Sequence, residues 1–306
     1  MTVDIIIPVY KPDEKLVYLV DRLQQQDYEI KTIRLINTKS KVPLPVVTME
    51  PYPVEITEIE AADFDHGATR NMGARSSDAD LLIFMTQDAV PAERDLISSF
   101  VRVFESHQDL NIAYGRQLPN KDCKLVERFT RQFNYPEESK IKSIQDLESM
   151  GIKTFFFSDV CGAYRRRPFL QRGGFESPII FGEDLVHTAK CVLDGERVAY
   201  VAEAKVYHSH NYNCLQQFHR NFDGGVVQAV YSEIFKDIPS EGEGIKLVKQ
   251  TAAYLFRIGK PLLLVELFFQ SAFKYAGFFL GKRYEKLPGF VVKWCSSNPG
   301  YFVSKV

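Results

Sequence analysis

The sequence predicts an α/β protein built on a mostly parallel central sheet. Two patterns carry that expectation. Short continuous apolar runs, VDIIIPVY at 3–10 and LLIFM at 81–85, read as strands buried on both faces. Stretches of helical spacing alternate with such strands over the first hundred residues, the pattern of right-handed crossovers in a parallel sheet. Composition agrees. The 306 residues are 45% hydrophobic and 25% charged, and the net charge of -1 excludes a disordered tail, a collagen-like repeat and a dedicated polyanion binder. Nothing in it points to nucleic-acid binding.

The elements follow in order. After the strand at 3–10, residues 13–26 carry Leu16, Val17, Leu19, Val20 and Leu23 at helical spacing and predict the first crossover helix. Strands are expected at 33–37 and 54–59, a small-residue helix at 68–76, and a buried strand at 81–85 that ends in Thr86-Gln87-Asp88. A helix at 95–107 precedes a polar, helix-prone insert at 121–151. Further strands are expected at 154–160, 198–201 and 204–207, then a helix at 216–235. The composition shifts near Pro239-Ser240, dividing a larger domain (1–239) from a C-terminal helical segment (240–306). Five cysteines, odd in number and without CxxC spacing, suggest neither zinc knuckle nor disulfide framework, which fits a reducing cytoplasm. The N-terminus reads as a strand and not as a signal peptide. The apolar run 261–280 carries Glu266 and Lys274, which argue against a membrane span.

Ligands of open α/β sheets bind beyond the carboxyl ends of the strands. Pro8, Val9, Tyr10, Asn37, His66 and Asp88 fall at or near such ends. In FMTQDAVP (84–91) a strand delivers Asp88 to a turn, where it can either cap the turn or ligate a hard divalent cation. In HGATRNMGARSS (66–77), Arg70 offers a bidentate fork for phosphate or a partner for a nearby carboxylate. Glu183-Asp184 opens a helix, where paired acids suit the helix dipole or supply a general base. His208 and His210 end a strand on one face, as ordinary surface histidines or as metal ligands.

The succession IIIPVY, HGATRNMGA, LLIFMTQDA, CGAYRRRPFLQRGGF and FGEDLVHTAKCVLDGERVAYV over residues 3–212 resembles family 2 glycosyltransferases of the GT-A fold. Within that family it looks most like bacterial rhamnosyltransferases of cell-surface polysaccharide synthesis. The resemblance implies a nucleotide pocket at Pro8, Val9 and Tyr10, with Asn37 where the family usually has a base-binding Asp. It implies Arg70 and Gln87 beside the sugar nucleotide, and Asp184 as the catalytic base. Thr86-Gln87-Asp88 matches the family's Asp-x-Asp with its first acid replaced, leaving Asp88 as the carboxylate ligand of Mg²⁺ or Mn²⁺, aided by His208. The implied reaction is inverting transfer, from dTDP-β-L-rhamnose in the closest branch or otherwise from a UDP-hexose, onto a lipid-linked saccharide. A nucleotidyltransferase would normally show a glycine-rich phosphate loop, and VYKPDEK has no glycine. A non-catalytic scaffold is opposed by the intact Asp88 and Glu183-Asp184.

In the C-terminal segment Tyr254, Leu255, Ile258, Leu262, Val265, Phe269, Phe273, Ala276 and Leu280 recur at helical spacings, with Arg257, Lys260, Lys274, Lys282 and Arg283 around them. An amphipathic basic helix of this kind predicts docking on the inner membrane surface. The other readings are packing on the catalytic domain or a homodimer seam.

Overall fold

The computed structural model describes residues 1–238 and 241–303. The predicted boundary at Pro239-Ser240 lies outside the described residues. Strands β1 (Val3–Tyr10), β2 (Thr32–Thr38), β3 (Val54–Ile59), β4 (Leu81–Met85), β5 (Val90–Pro91), β6 (Ile112–Leu118), β7 (Lys140–Lys142), β8 (Cys161–Arg165) and β9 (Val198–Tyr207) form one sheet. Its order is β3-β2-β1-β4-β8-β6-β9-β5, with β7 pairing on β9. The first four strands in that order are parallel, as the alternating pattern predicts; beyond β4 the sheet is mixed. The helices are α1 (Glu14–Leu23), α2 (His66–Ser76), α3 (Leu96–Ser106), α4 (Leu125–Asn134), α5 (Leu147–Met150), α6 (Arg166–Gln171), α7 (Glu183–Leu193), α8 (Cys214–Val230), α9 (Ser232–Phe235), α10 (Glu241–Arg257), α11 (Leu263–Gly281) and α12 (Gly289–Cys295).

Side-chain alternation in β1 sets the two layers. Val3, Ile5, Ile7 and Val9 pack with α1 and α3, while Ile6 faces the core shared with α7 and α8. Asp13 caps α1 by accepting from the Lys15 N–H at 2.9 Å, which fixes where the first crossover starts.

Two expectations are corrected. Residues 154–160 are not a strand: a 3-10 turn covers Gly151–Phe155 and the strand begins at Cys161. Phe155 and Phe157 are buried in the core from irregular backbone, so their apolar content reports packing and not a pleat. The short strands expected at 198–201 and 204–207 are one strand, with a register shift between Gly115 and Arg116 of its neighbour β6.

The C-terminal segment is helical. Leu255 and Leu267 join Val126 of α4 in a small separate core. Helix α11 lies against α8 with the two backbones almost touching. A Cβ added at Gly277 would stand 2.2 Å from the Phe218 carbonyl oxygen, and one at Gly281 would stand 2.1 Å from that of Phe222. By length and composition α11 could cross a membrane, yet its glycine face is committed to α8.

Gly281→Val therefore forces α11 off α8. The expected cost is about 1–3 kcal/mol from overpacking, read as a lower thermal midpoint; an unchanged midpoint would show that the contact is not made.

Candidate active site

The β5–β9 pairing builds the first half of the site. Its register sets Val90 opposite Tyr207, so the residues just before β5 and just after β9 meet. Asp88, two residues before β5, and His208, directly after β9, are brought together in this way, and His210 follows with them. His208 Nε2 lies 3.6 Å from Asp88 Oδ1, His210 Nε2 lies 3.4 Å from Asp88 Oδ2, and the two Nε2 atoms are 3.0 Å apart. One ligand atom from each of the three falls within 4.8 Å of the others.

The protonation of His208 follows from its neighbours. Gln117 Nε2 donates to the Tyr135 hydroxyl at 2.5 Å and to Ser158 Oγ at 2.9 Å, so its Oε1 is the acceptor side. That oxygen accepts from Arg131 and from His208 Nδ1, the latter at 2.9 Å. The His208 proton thus sits on Nδ1 and the Nε2 lone pair faces Asp88 and His210. Burial first, then the His210 charge, hold His208 well below the usual histidine range, so it is neutral at neutral pH. One carboxylate and two imidazole nitrogens crowded together in this way suit a divalent cation. Beside them the buried Thr86 hydroxyl, which stands where an acid would be, has no hydrogen-bond partner. The residues fit a metal site.

The second half comes from α2 and α7. Asp65 caps α2 through the Ala68 N–H and also accepts from the Ile179 N–H, both at 2.8 Å. The Asn71 amide brackets Phe175, accepting from its N–H and donating to its carbonyl, both at 2.8 Å. These ties dock the segment before α7 onto α2. Gly182, at φ +73, then turns the chain into α7, so Glu183 and Asp184 occupy its first turn.

Arg70 Nη1 meets Glu183 Oε1 at 2.9 Å and its Nε lies 3.5 Å from Asp159 Oδ2, all three groups being buried. Asp184 is half-buried. Its Oδ2 accepts from the Asp159 N–H at 2.9 Å and its Oδ1 from the Leu185 N–H at 2.7 Å. Burial, then the neighbouring Glu183 charge, push Asp184 up to about 6. Glu183 moves the other way: burial raises it, but Arg70, His66 and its own helix-start N–H together outweigh burial. Asp159 is held well above the carboxylate range by burial and by Asp184, and receives the Tyr164 hydroxyl at 2.7 Å.

Both halves open into one cavity of about 890 Å³. Of the residues expected from sequence, Arg70, Asp88, Asp184 and His208 line it. Pro8, Val9, Tyr10, Asn37 and Gln87 do not. They form a separate shelf at the ends of β1, β2 and β4, where Val9 pairs with Asn37 and Gln87 exchanges hydrogen bonds of 2.8 and 3.0 Å with the Tyr10 backbone. The adjacency of Gln87 and Asp88 joins shelf to cavity. His210 joins Asp88 and His208 in the cluster that could hold a metal ion. Sequence reasoning missed Gln117, Arg131 and Asp159: the first two lie in or beside the polar insert, and Asp159 lies in the turn misread as a strand.

Sheet order, cavity and carboxylates together define a nucleotide-sugar transferase architecture, and the chain belongs to glycosyl transferase family 2, whose model matches residues 4–173. Similar curated proteins are the O-antigen chain rhamnosyltransferase RfbN of Salmonella typhimurium, 36% identical over 99% of this chain and 96% of that one, and WbaN of Salmonella anatum, 36% identical over 82% and 80%. Among solved structures the chain is similar to S. aureus TarS with UDP-GlcNAc (TM-score 0.54, 11% identity, 94% and 92% covered). It is likewise similar to the mannosyltransferase PcManGT of Pyrobaculum calidifontis with GDP-Man and Mn²⁺ (TM-score 0.55, 13% identity, 99% and 85% covered). At such identity these structures bear on the GT-A fold alone.

Arg70→Met leaves the buried carboxyls without their cation, expected to cost roughly 3–5 kcal/mol at neutral pH. The carboxyls in the variant are raised above their unfolded values, so the penalty grows as pH rises and shrinks as they protonate. Thermal melts at pH 5 and pH 8 should show the larger deficit at pH 8; a deficit independent of pH would refute the electrostatic account.

Proposed function

We propose that this chain is an inverting glycosyltransferase that moves L-rhamnose from dTDP-β-L-rhamnose onto a lipid-linked saccharide in surface-polysaccharide synthesis. The observation that carries the reading is Asp184: a carboxyl raised toward 6, edge open to the cavity it shares with Asp88, His208 and His210. The donor and the polysaccharide context draw on the names of the 36%-identical relatives. The nucleoside is assigned to the shelf of Pro8, Val9, Tyr10, Asn37 and Gln87, with the diphosphate reaching into the cavity at Asp88.

In the reaction, Asp184 takes the proton of an acceptor hydroxyl as that oxygen bonds to the sugar's anomeric carbon. The carbon–oxygen bond to the diphosphate breaks on the opposite face, and its electron pair leaves on the diphosphate. Arg70 keeps Glu183 ionised, and the Glu183 charge keeps Asp184 basic enough to accept that proton. Asp88, His208 and His210 would hold a divalent cation, which supplies charge stabilisation to the leaving diphosphate. Imidazole ligands favour Mn²⁺ over Mg²⁺ in such a set.

The C-terminal segment is assigned to the cytoplasmic membrane face. Along α11, Val265, Phe268, Phe269, Tyr275 and Phe279 form an exposed apolar stripe opposite the face packed on α8. Basic residues stand at both ends, Arg257 and Lys260 before it and Lys282 and Arg283 after it. A stripe of this kind lies in the lipid interface and its flanking cations favour anionic headgroups. The division into a transferase (1–239) and a docking segment (240–306) follows from this assignment.

Radiolabelled transfer from a panel of sugar nucleotides to lipid extract tests the donor; transfer from every donor except dTDP-rhamnose would refute it. Asp184→Asn should lower turnover by about 10²–10⁴. The acid limb of the kcat/KM profile should rise through about pH 6 as Asp184 deprotonates, and Glu183→Gln should move that limb to lower pH by removing the charge that raises it. Near-normal turnover in Asp184→Asn, or a limb unmoved in Glu183→Gln, contradicts the assignment.

For the membrane face, Phe268→Ser with Phe269→Ser leaves the α8 contact intact. Co-sedimentation with phosphatidylglycerol vesicles should fall several-fold relative to wild type; equal pelleting of both proteins excludes this stripe as the lipid contact.

A further inference from the structure

We propose that the end of the cavity walled by α8 and the Ser296–Asn298 loop is the acceptor-saccharide subsite. The proposal rests on the sugar-transfer reading and deepens it.

The nucleoside shelf lies off the cavity lining, so the cavity starts at Asp88 and its volume is left for phosphates, sugar and acceptor. One face of α8 runs along it: Gln216, Arg220, Gly224 and Val227 all line it, a length of roughly 16 Å at 1.5 Å per residue. The chemistry changes along that length. Near the start, the Arg220 guanidinium stands 5.7 Å over the Tyr212 ring, and Tyr212 stacks on His210 at 4.9 Å, so this end is continuous with the metal set. Further on, the wall is made of neutral hydrogen-bonding groups.

That wall is built and held in place. Asp223, one turn beyond Arg220 and buried, accepts from Ser296 Oγ at 2.6 Å, the Ser297 N–H at 3.0 Å and Asn298 Nδ2 at 3.4 Å. Asn298 Nδ2 also reaches the Ile180 carbonyl at 3.3 Å, tying the loop to the segment that leads into Asp184. His219 Nδ1 donates to the Cys295 carbonyl at 2.9 Å, leaving Nε2 as an acceptor on a ring that lines the cavity. Hydroxyls of a neutral sugar want donors and acceptors such as Ser297, Asn298 and His219, all of which line the cavity. A diphosphate would want the cations at the other end. All of these residues lie beyond the segment matched by the family model.

The test uses the full chain with Mn²⁺ and dTDP, and octyl glycosides of galactose, mannose, glucose and rhamnose as probes. Saturation-transfer NMR should detect at least one glycoside on the wild type. Ser297→Ala, an exposed change in the loop, should weaken that glycoside several-fold, the scale of one lost hydrogen bond, and Asn298→Ala should weaken it also. Calorimetric affinity for dTDP should stay within about twofold in both variants, with thermal melts confirming the fold. No glycoside bound by the wild type, or unchanged glycoside affinity in both variants, overturns the subsite. Failure of dTDP to bind the wild type counts against the donor reading instead, and leaves the glycoside comparison to judge the subsite by itself.

Discussion

Arg70 sits where the two layers of the site are joined, and its charge decides how the neighbouring carboxyls behave. It meets Glu183 and Asp159, all three groups being buried, and Asp184 stands beside all three. Three carboxyls around one guanidinium cannot all ionise at once, because each further buried charge lacks a counter-charge. The cation settles on Glu183, which is held ionised, and Asp159 and Asp184 are left raised. Asp184 differs from Asp159 in its position at the cavity edge, where a proton can enter and leave. The same arrangement explains why α2 is tied so firmly to the segment before α7: the Asp65 and Asn71 hydrogen bonds fix the distance over which Arg70 must reach.

Helix α8 carries two duties on opposite faces. Gln216, Arg220, Gly224 and Val227 face the cavity, while the Phe218 and Phe222 carbonyls receive the glycine face of α11. Gly225 on α8 and Gly277 and Gly281 on α11 mark the points where the close approach leaves no room for a Cβ. A helix pinned in this way cannot rotate without lifting α11, so the C-terminal segment stabilises the cavity wall as well as covering it. The Asp223 bonds to the Ser296–Asn298 loop reinforce this from the other side.

The parallel half of the sheet was legible because Ile5, Ile6 and Ile7 on β1 and the whole of β4 are apolar on both faces, a pattern with few alternatives. Asp88 and Asp184 were legible as positions at a strand end and a helix start, and Arg70 as a guanidinium fork within the small-residue helix. Their mutual distances were not. The meeting of Asp88 with His208 and His210 depends on β5, a strand of two residues with no periodicity to detect. Gln117 is a β6 residue whose role appears only when the His208 ring lies against it. Asp159 was hidden because Phe155 and Phe157 imitate a strand while packing from irregular backbone.

Burial and openness divide the work of the site between its two ends. The inner carboxyls need a dry setting, since a wetter one would return Asp184 to the ordinary carboxylate range and leave it a weak base. A cation held by Asp88, His208 and His210 would need neutral imidazoles; burial holds His208 below the histidine range and the Gln117 acceptor orients its ring. Arg131 bonds to that same Gln117 oxygen, and Ser158, one residue before Asp159, receives the Gln117 amide. The Asp159 N–H in turn bonds Asp184. A short chain of side-chain and backbone hydrogen bonds thus runs from the His208 ring to the Asp184 carboxylate without crossing the cavity. It fixes the separation between the place where the diphosphate would leave and the place where the acceptor's proton would be taken. In a single displacement those two events lie on opposite faces of one carbon, so the distance between them is the quantity that this chain of bonds has to hold constant.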